Sequence, residues 1–157
     1  MSRPSWDRYF LKMSMLISER STCLRHHVGA VLVRERRVLS TGYNGAASRL
    51  KDCLELGCLR DEQKIDSGTR HEVCRAIHAE QNAIIQAGQH GVGIAGATMY
   101  CTHSPCLICA KMIVNAGVER VVSFTPYDDS NSPELFAEAG TVCDVLDKPD
   151  PEIKFKP

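Results

Sequence analysis

No charge of one sign dominates this chain of 157 residues, in which nineteen lysines and arginines face nineteen aspartates and glutamates. Without a net field there is no general pull toward nucleic acid or an anionic membrane, so neither is expected as a partner. Apolar runs long enough to span a bilayer are also missing. The opening "MSRPSWDRYF" has no charged-then-apolar leader, and a cytoplasmic location is the expectation. No internal repeat is visible, and the length suits one domain over residues 1–157 with a single sizeable core. What the chain does have in quantity is cysteine, eight in all. In the absence of a secretory leader, eight thiols favour metal ligation over disulfides.

The periodicities alternate along the chain. "SWDRYFLKMSMLISER" reads as a helix capped by Ser5, with Trp6, Phe10, Met13 and Ile17 on a core-facing stripe. A hairpin follows, Val28 to Val33 and Val38 to Thr41, turning at the charged residues 34–37. From Tyr43 to about Arg70 the pattern dissolves into a polar loop whose length implies that it is functional or tied down. Helices are then expected from about His78 to Ala87, from near Pro105 to before Gly117, and over "SPELFAEAG". Strands are expected at "ATMYCT", "RVVSF" and "VCDVL", with a mobile tail from about residue 147. This order predicts a mixed five-stranded sheet flanked by helices on both faces, a three-layer α/β/α arrangement.

Two short stretches carry the chemistry. In "SPCLIC", Pro105 suits the first turn of a helix, and Cys106 and Cys109 then project from one side of that turn. The unpaired N–H groups there favour the thiolates that bind metal. A lone pair of this spacing is as often buried or redox-active. In "HAEQNAI", His78 and Glu80 stand two residues apart and share no lateral helix face, but both can reach beyond the helix N-terminus. One imidazole and two thiolates are three protein ligands, the number in a catalytic zinc site with one position left for water. Glu80 is then free to shuttle protons, and the Ala79 peptide is placed to hydrogen-bond a base edge. The five residues His78, Glu80, Pro105, Cys106 and Cys109 match the H-x-E…P-C-x-x-C signature of zinc nucleobase deaminases.

The wider stretches "VGAVLV…STGYNGA", "RHEVCRAIHAEQNAII", "GATMYCTHSPCLICAKMIVNAGVERVV" and "AEAG" resemble the deoxycytidylate deaminases, across about Trp6 to Val145. The resemblance implies the cytidine deaminase-like fold and hydrolysis of dCMP to dUMP, the precursor for thymidylate synthesis. It also implies a homo-oligomer, commonly a hexamer, activated by dCTP and inhibited by dTTP, with Mg2+ accompanying the effector. Asn44 matches the family asparagine on the nucleotide sugar, and Tyr127 resembles a tyrosine bordering the active site. Arg25, His26 and His27 are the candidates for the phosphate. Relatives commonly read Gly-Tyr-Asn-Gly-x-Pro-x-Gly where this chain has "GYNGAASR", with Ala47 and Arg49 replacing proline and glycine. That segment belongs to the effector site in relatives, and glycine permits backbone conformations that arginine resists.

Some relatives also carry a structural zinc whose cysteines match Cys23 and Cys53. His71 and Cys74 are candidates to complete its four ligands, with Cys58 competing for the place of Cys74; free thiols are the alternative. Cys101 and Cys143 fall in strand patterns and read as small core residues. The helix from Cys106 is apolar on more than one face, which calls for a cover such as a neighbouring subunit. Deamination of free cytidine or of adenosine in transfer RNA is the enzymatic alternative. A non-enzymatic accessory protein on the same scaffold is the other, and the intact Glu80 argues against it.

Overall fold

The computed structural model describes residues 3–126 and 131–153. Its centre is β1 (Gly29–Arg34), buried at every position except the last. A strand covered on both faces must be apolar throughout, as "GAVLV" is. β1 pairs antiparallel with β2 (Arg37–Tyr43) and with β5 (Thr98–Cys101). β6 (Arg120–Ser123) and β7 (Val142–Val145) then add in parallel, giving the order β2-β1-β5-β6-β7. The expected mixed five-stranded sheet is therefore present. The hairpin turn places Glu35 and Arg36 in the left-handed region, φ 51° and 62°, which matches the twist of the flanking strands.

α1 (Trp6–Ser18) lies alone on one face. The Ser5 hydroxyl accepts from the Arg8 N–H at 3.2 Å, and Phe10 and Leu11 pack on Val31, Val33, Tyr100 and Val122. Trp6 departs from the predicted buried stripe. It is 49% exposed, stacked on Phe10, with the Arg36 guanidinium 5.2 Å from its ring centre.

The opposite face carries α4 (Ala79–Gln89), α5 (Leu107–Asn115) and α6 (Ser132–Ala139), joined in one apolar cluster through Ala83, Ala110, Ile113 and Phe136. α5 and α6 are the crossovers of the parallel strands. Ala79, Ala83 and Ala87 recur every four residues, a stripe small enough to seat α4 flush on β1 and β2. The Ser40 hydroxyl donates to the Ala83 carbonyl at 2.8 Å and fixes that seating. α4 continues through Gly88, where an end was expected, and the chain reverses at Gly91 with φ 66°. α5 begins one residue after Cys106, so Pro105 precedes the helix instead of opening it.

The long polar segment is tied down in short pieces. A two-residue ribbon pairs β3 (Gly45–Ala46) with β4 (Ala76–Ile77), and α2 (Cys53–Leu56) and α3 (Leu59–Glu62) lie between. Arg49 keeps the left-handed backbone, φ 71°, that glycine would adopt freely. The described part of the tail expected to be mobile, residues 147–153, touches α1: Pro149 is buried and Lys12 Nζ donates to the Glu152 carbonyl at 2.8 Å.

Candidate active site

The N-termini of α4 and α5 meet at the end of the sheet, with His78 at the cap of one and Cys106 at the cap of the other. The Gln81 side chain reaches back to accept from the His78 N–H at 2.9 Å, which fixes the first turn of α4. His78 Nδ1 lies 3.5 Å from Cys106 Sγ and 3.3 Å from Cys109 Sγ. The donor atoms of His78, Cys106 and Cys109 all fall within 4.8 Å of one another, and no other group of three such donors does so among the described residues. Two donors on one tetrahedral zinc, with bonds of about 2.0–2.1 Å to nitrogen and about 2.3 Å to sulfur, stand about 3.6 Å apart. The three residues fit such an ion in spacing and in softness.

Glu80 is 4% exposed and turns toward the same space. Burial raises its pKa above the ordinary carboxyl value, against the pull of His78. Cys109 donates to Cys106 and lowers it to about 3, with His78 assisting, while the same bond and burial push Cys109 up. Burial works against a charged His78, yet its bond to Cys106 and the nearby Glu80 carboxylate carry its pKa above the usual imidazole value. The arrangement holds one thiolate ready and a buried acid able to keep or release a proton close to it.

A cavity of about 410 Å³ opens in front of this cluster. Asn44 lines it as expected, although its side chain is engaged: Oδ1 accepts from the Val28 N–H at 2.9 Å and Nδ2 donates to the His26 carbonyl at 2.8 Å. Ala79 is fully buried and also lines the cavity, whereas Tyr127 lies outside the described residues. Arg25 and His26 reach the wall, and His27 faces a different cavity beside α1.

The cysteines of the polar segment gather on one wall. Burial, then Cys58, Cys74 and Cys23, push the Cys53 thiol up, so each of those three lies close enough to act on Cys53. His71 lines the same cavity and sets its ring edge-on to His78 at 4.9 Å between centres. Cys101 is wholly buried and Cys143 half-buried in the strands, as predicted. The motif search missed Arg60, Ser67 and His103, which also face the cavity. Periodicity carries no signal for them, since a polar loop reads as solvated.

Two helix N-termini off a mixed sheet, with one imidazole, two thiols and a buried acid, are the arrangement that the signature of zinc nucleobase deaminases describes. Residues 4–125 match the family described as "Cytidine and deoxycytidylate deaminase zinc-binding region". The chain is 42% identical over 139 residues to the deoxycytidylate deaminase of Schizosaccharomyces pombe, covering 88% of itself and 43% of that protein. It is 41% identical to the deoxycytidylate deaminase of a Mycobacterium phage, covering 78% of itself and 96% of the relative. The crystal structure of dCMP deaminase from the cyanophage S-TIM5, in complex with dCMP and dUMP, superposes with a TM-score of 0.77 at 28% identity over 93% of this chain and 100% of that one. The chain belongs to the cytidine and deoxycytidylate deaminase zinc-binding family. It spans less than half the length of the yeast relative. No helix among the described residues is long and apolar enough to cross a membrane.

Proposed function

We propose that the protein hydrolyses dCMP to dUMP and ammonia, with His78, Cys106 and Cys109 holding the catalytic zinc and Glu80 moving the protons. The single observation that carries this is the buried Glu80 beside the three clustered donors, at the head of a nucleotide-sized cavity. Zinc at such a site lowers the pKa of water toward about 7, making hydroxide available at neutral pH. The Glu80 carboxylate takes the proton of the attacking water and passes it to the ring nitrogen beside the amine-bearing carbon. A second transfer to the amino group lets ammonia leave. Enclosure within the cavity excludes bulk water, and the seating of α4 on β2 fixes Glu80 relative to His78. Asn44 and the Ala79 peptide serve as contacts to sugar and base.

The substrate assignment rests on the identity to named deoxycytidylate deaminases and on the dCMP-bound neighbour. Ammonia release should be measured from dCMP, CMP, deoxycytidine and adenosine, each with and without dCTP and Mg2+. Turnover of dCMP above the others supports the reading. Silence on dCMP in every condition, from a folded zinc-loaded protein, removes it. A dCTP response would extend it to regulation, which the retained left-handed backbone at Arg49 favours.

A second, structural zinc is a separate part of the reading. Cys23, Cys53, Cys58 and Cys74 hold it, with Cys58 in the place first considered for His71; their common place on the cavity wall and the action of the other three on Cys53 support this. Metal analysis should return two zinc per chain. Ile108, an apolar side chain 47% exposed on α5, supports self-association, which light scattering would measure directly.

A further inference from the structure

Two arginines reach the cavity, and their situations differ. Arg25 is already neutralised: its Nε and Nη2 meet Asp61 Oδ1 at 2.8 and 2.6 Å, and Nη2 also donates to the Ile65 carbonyl at 2.7 Å. Arg60 forms no ion pair among the described residues, although it is only 7% exposed. Its Nη2 donates to the Asp66 carbonyl at 2.7 Å, while its Nε is buried without a partner. A buried cation without a direct ion pair is costly, and proteins keep one where an anion arrives to pair with it.

Outside the zinc cluster, with its Cys106 thiolate and Glu80, the described residues of the cavity wall give no such anion. Glu80 is the only acidic side chain among the described residues lining it, and it belongs to the zinc cluster. The charge of Arg60 is felt at both His71 and His78, so this cation and the metal cluster share one cavity. Ser67 and His26, joined by a 3.1 Å contact, line the same wall and offer further polar atoms. A guanidinium is the side chain best matched to a phosphate, through paired N–H donors.

We infer that Arg60 reads the 5′-phosphate of the nucleotide and so sets the preference for a nucleotide over its nucleoside. The inference rests on the proposed dCMP reading for the identity of the ligand, but it is separable from it. Arg60 acts on binding and not on the reacting atoms, so its effect appears in the difference between phosphorylated and unphosphorylated ligands.

Calorimetric titration of the zinc-loaded full chain with dUMP and with deoxyuridine isolates the phosphate without relying on turnover. The wild type is expected to bind dUMP at least about 100-fold more tightly, the range for a buried charge pair. In Arg60→Gln, with zinc content and melting temperature checked, that preference should fall to a few-fold. Arg60→Lys, which keeps the charge but loses the fork, should retain an intermediate preference, and it carries the test if Arg60→Gln does not fold. An unchanged preference in either folded variant, or equal losses for both ligands, overturns the inference. Should the wild type bind neither dUMP nor deoxyuridine, the dCMP reading fails, and inorganic phosphate then decides for Arg60. Phosphate bound by the wild type and lost in Arg60→Gln upholds the site, while phosphate bound equally by both, or by neither, removes it.

Discussion

Gly42 is the point where the sheet touches the helix that carries His78 and Glu80, and replacing it with alanine tests the architecture of the site. A Cβ at residue 42 would stand 2.2 Å from the Ala79 carbonyl oxygen and 2.4 Å from the Ala83 nitrogen. The first contact is about 1.2 Å short of the 3.4 Å at which ordinary contact begins. Both obstacles are backbone, so no rotamer change relieves them and α4 must back away from β2. Overpacking of this kind costs about 1–3 kcal/mol, and rather more when backbone is the obstacle. At about 2–4 °C per kcal/mol for a chain of this size, the melting temperature should fall by about 4–10 °C. Ala79 stands between His78 and Glu80, and a displacement of about 1 Å at reacting groups is worth about 100-fold in rate. Turnover of dCMP by Gly42→Ala should therefore fall far more than stability alone explains, measured well below its melting temperature. Gly88→Ala on the same helix is the control of opposite sign. Nothing lies within 4 Å of its added carbon, and alanine is favoured in a helix by about 0.8–1 kcal/mol. Gly42→Ala melting and turning over like the wild type would refute the claim that β2 sets the position of the acid.

Glu80→Gln keeps the volume and removes the proton carrier, so turnover should drop by about 10²–10⁴ while zinc content and fold persist. Retained turnover would remove Glu80 from the chemistry. Cys109→Ser should release one zinc equivalent on metal analysis, since the buried thiolate is replaced by a poor ligand; full retention would count against the triad. Arg120 donates to both Asp7 oxygens at 2.9 and 3.0 Å and the Tyr100 O–H donates to Asp7 at 2.8 Å. These contacts, Arg120 foremost, hold Asp7 below the ordinary carboxyl range. Their stabilisation is present above the unfolded pKa of about 3.9 and is lost as pH falls through the lower folded value. Asp7→Asn should therefore melt lower than the wild type at neutral pH, by about 1–3 kcal/mol, and the gap should close toward about pH 3. A gap that does not narrow on acidification would assign the loss to packing.

The sequence by itself determined the elements whose residues are periodic or chemically singular. β1 reads as a buried strand because "GAVLV" is apolar on both faces, and the triad is legible because few structures other than a metal site use a histidine, an acid and two cysteines at these spacings. Boundaries were less legible. Gly88 looked like a helix end, but helix packing overrides the propensity of one residue, and Trp6 kept the helical spacing yet is half exposed, stacked on Phe10 beside Arg36. The polar segment from Tyr43 to Arg70 was opaque because its order comes from long-range ties, Arg25 to Asp61 and His26 to Ser67, which leave no local pattern. Only the tertiary structure set the His71 ring against His78 and brought Cys58 close enough to act on Cys53. Only it distinguished Arg25, paired at the wall, from Arg60, buried with no ion pair among the described residues. Periodicity records which faces are apolar, whereas the partner of a charged side chain is set by residues that meet only when the sheet and its helices have assembled.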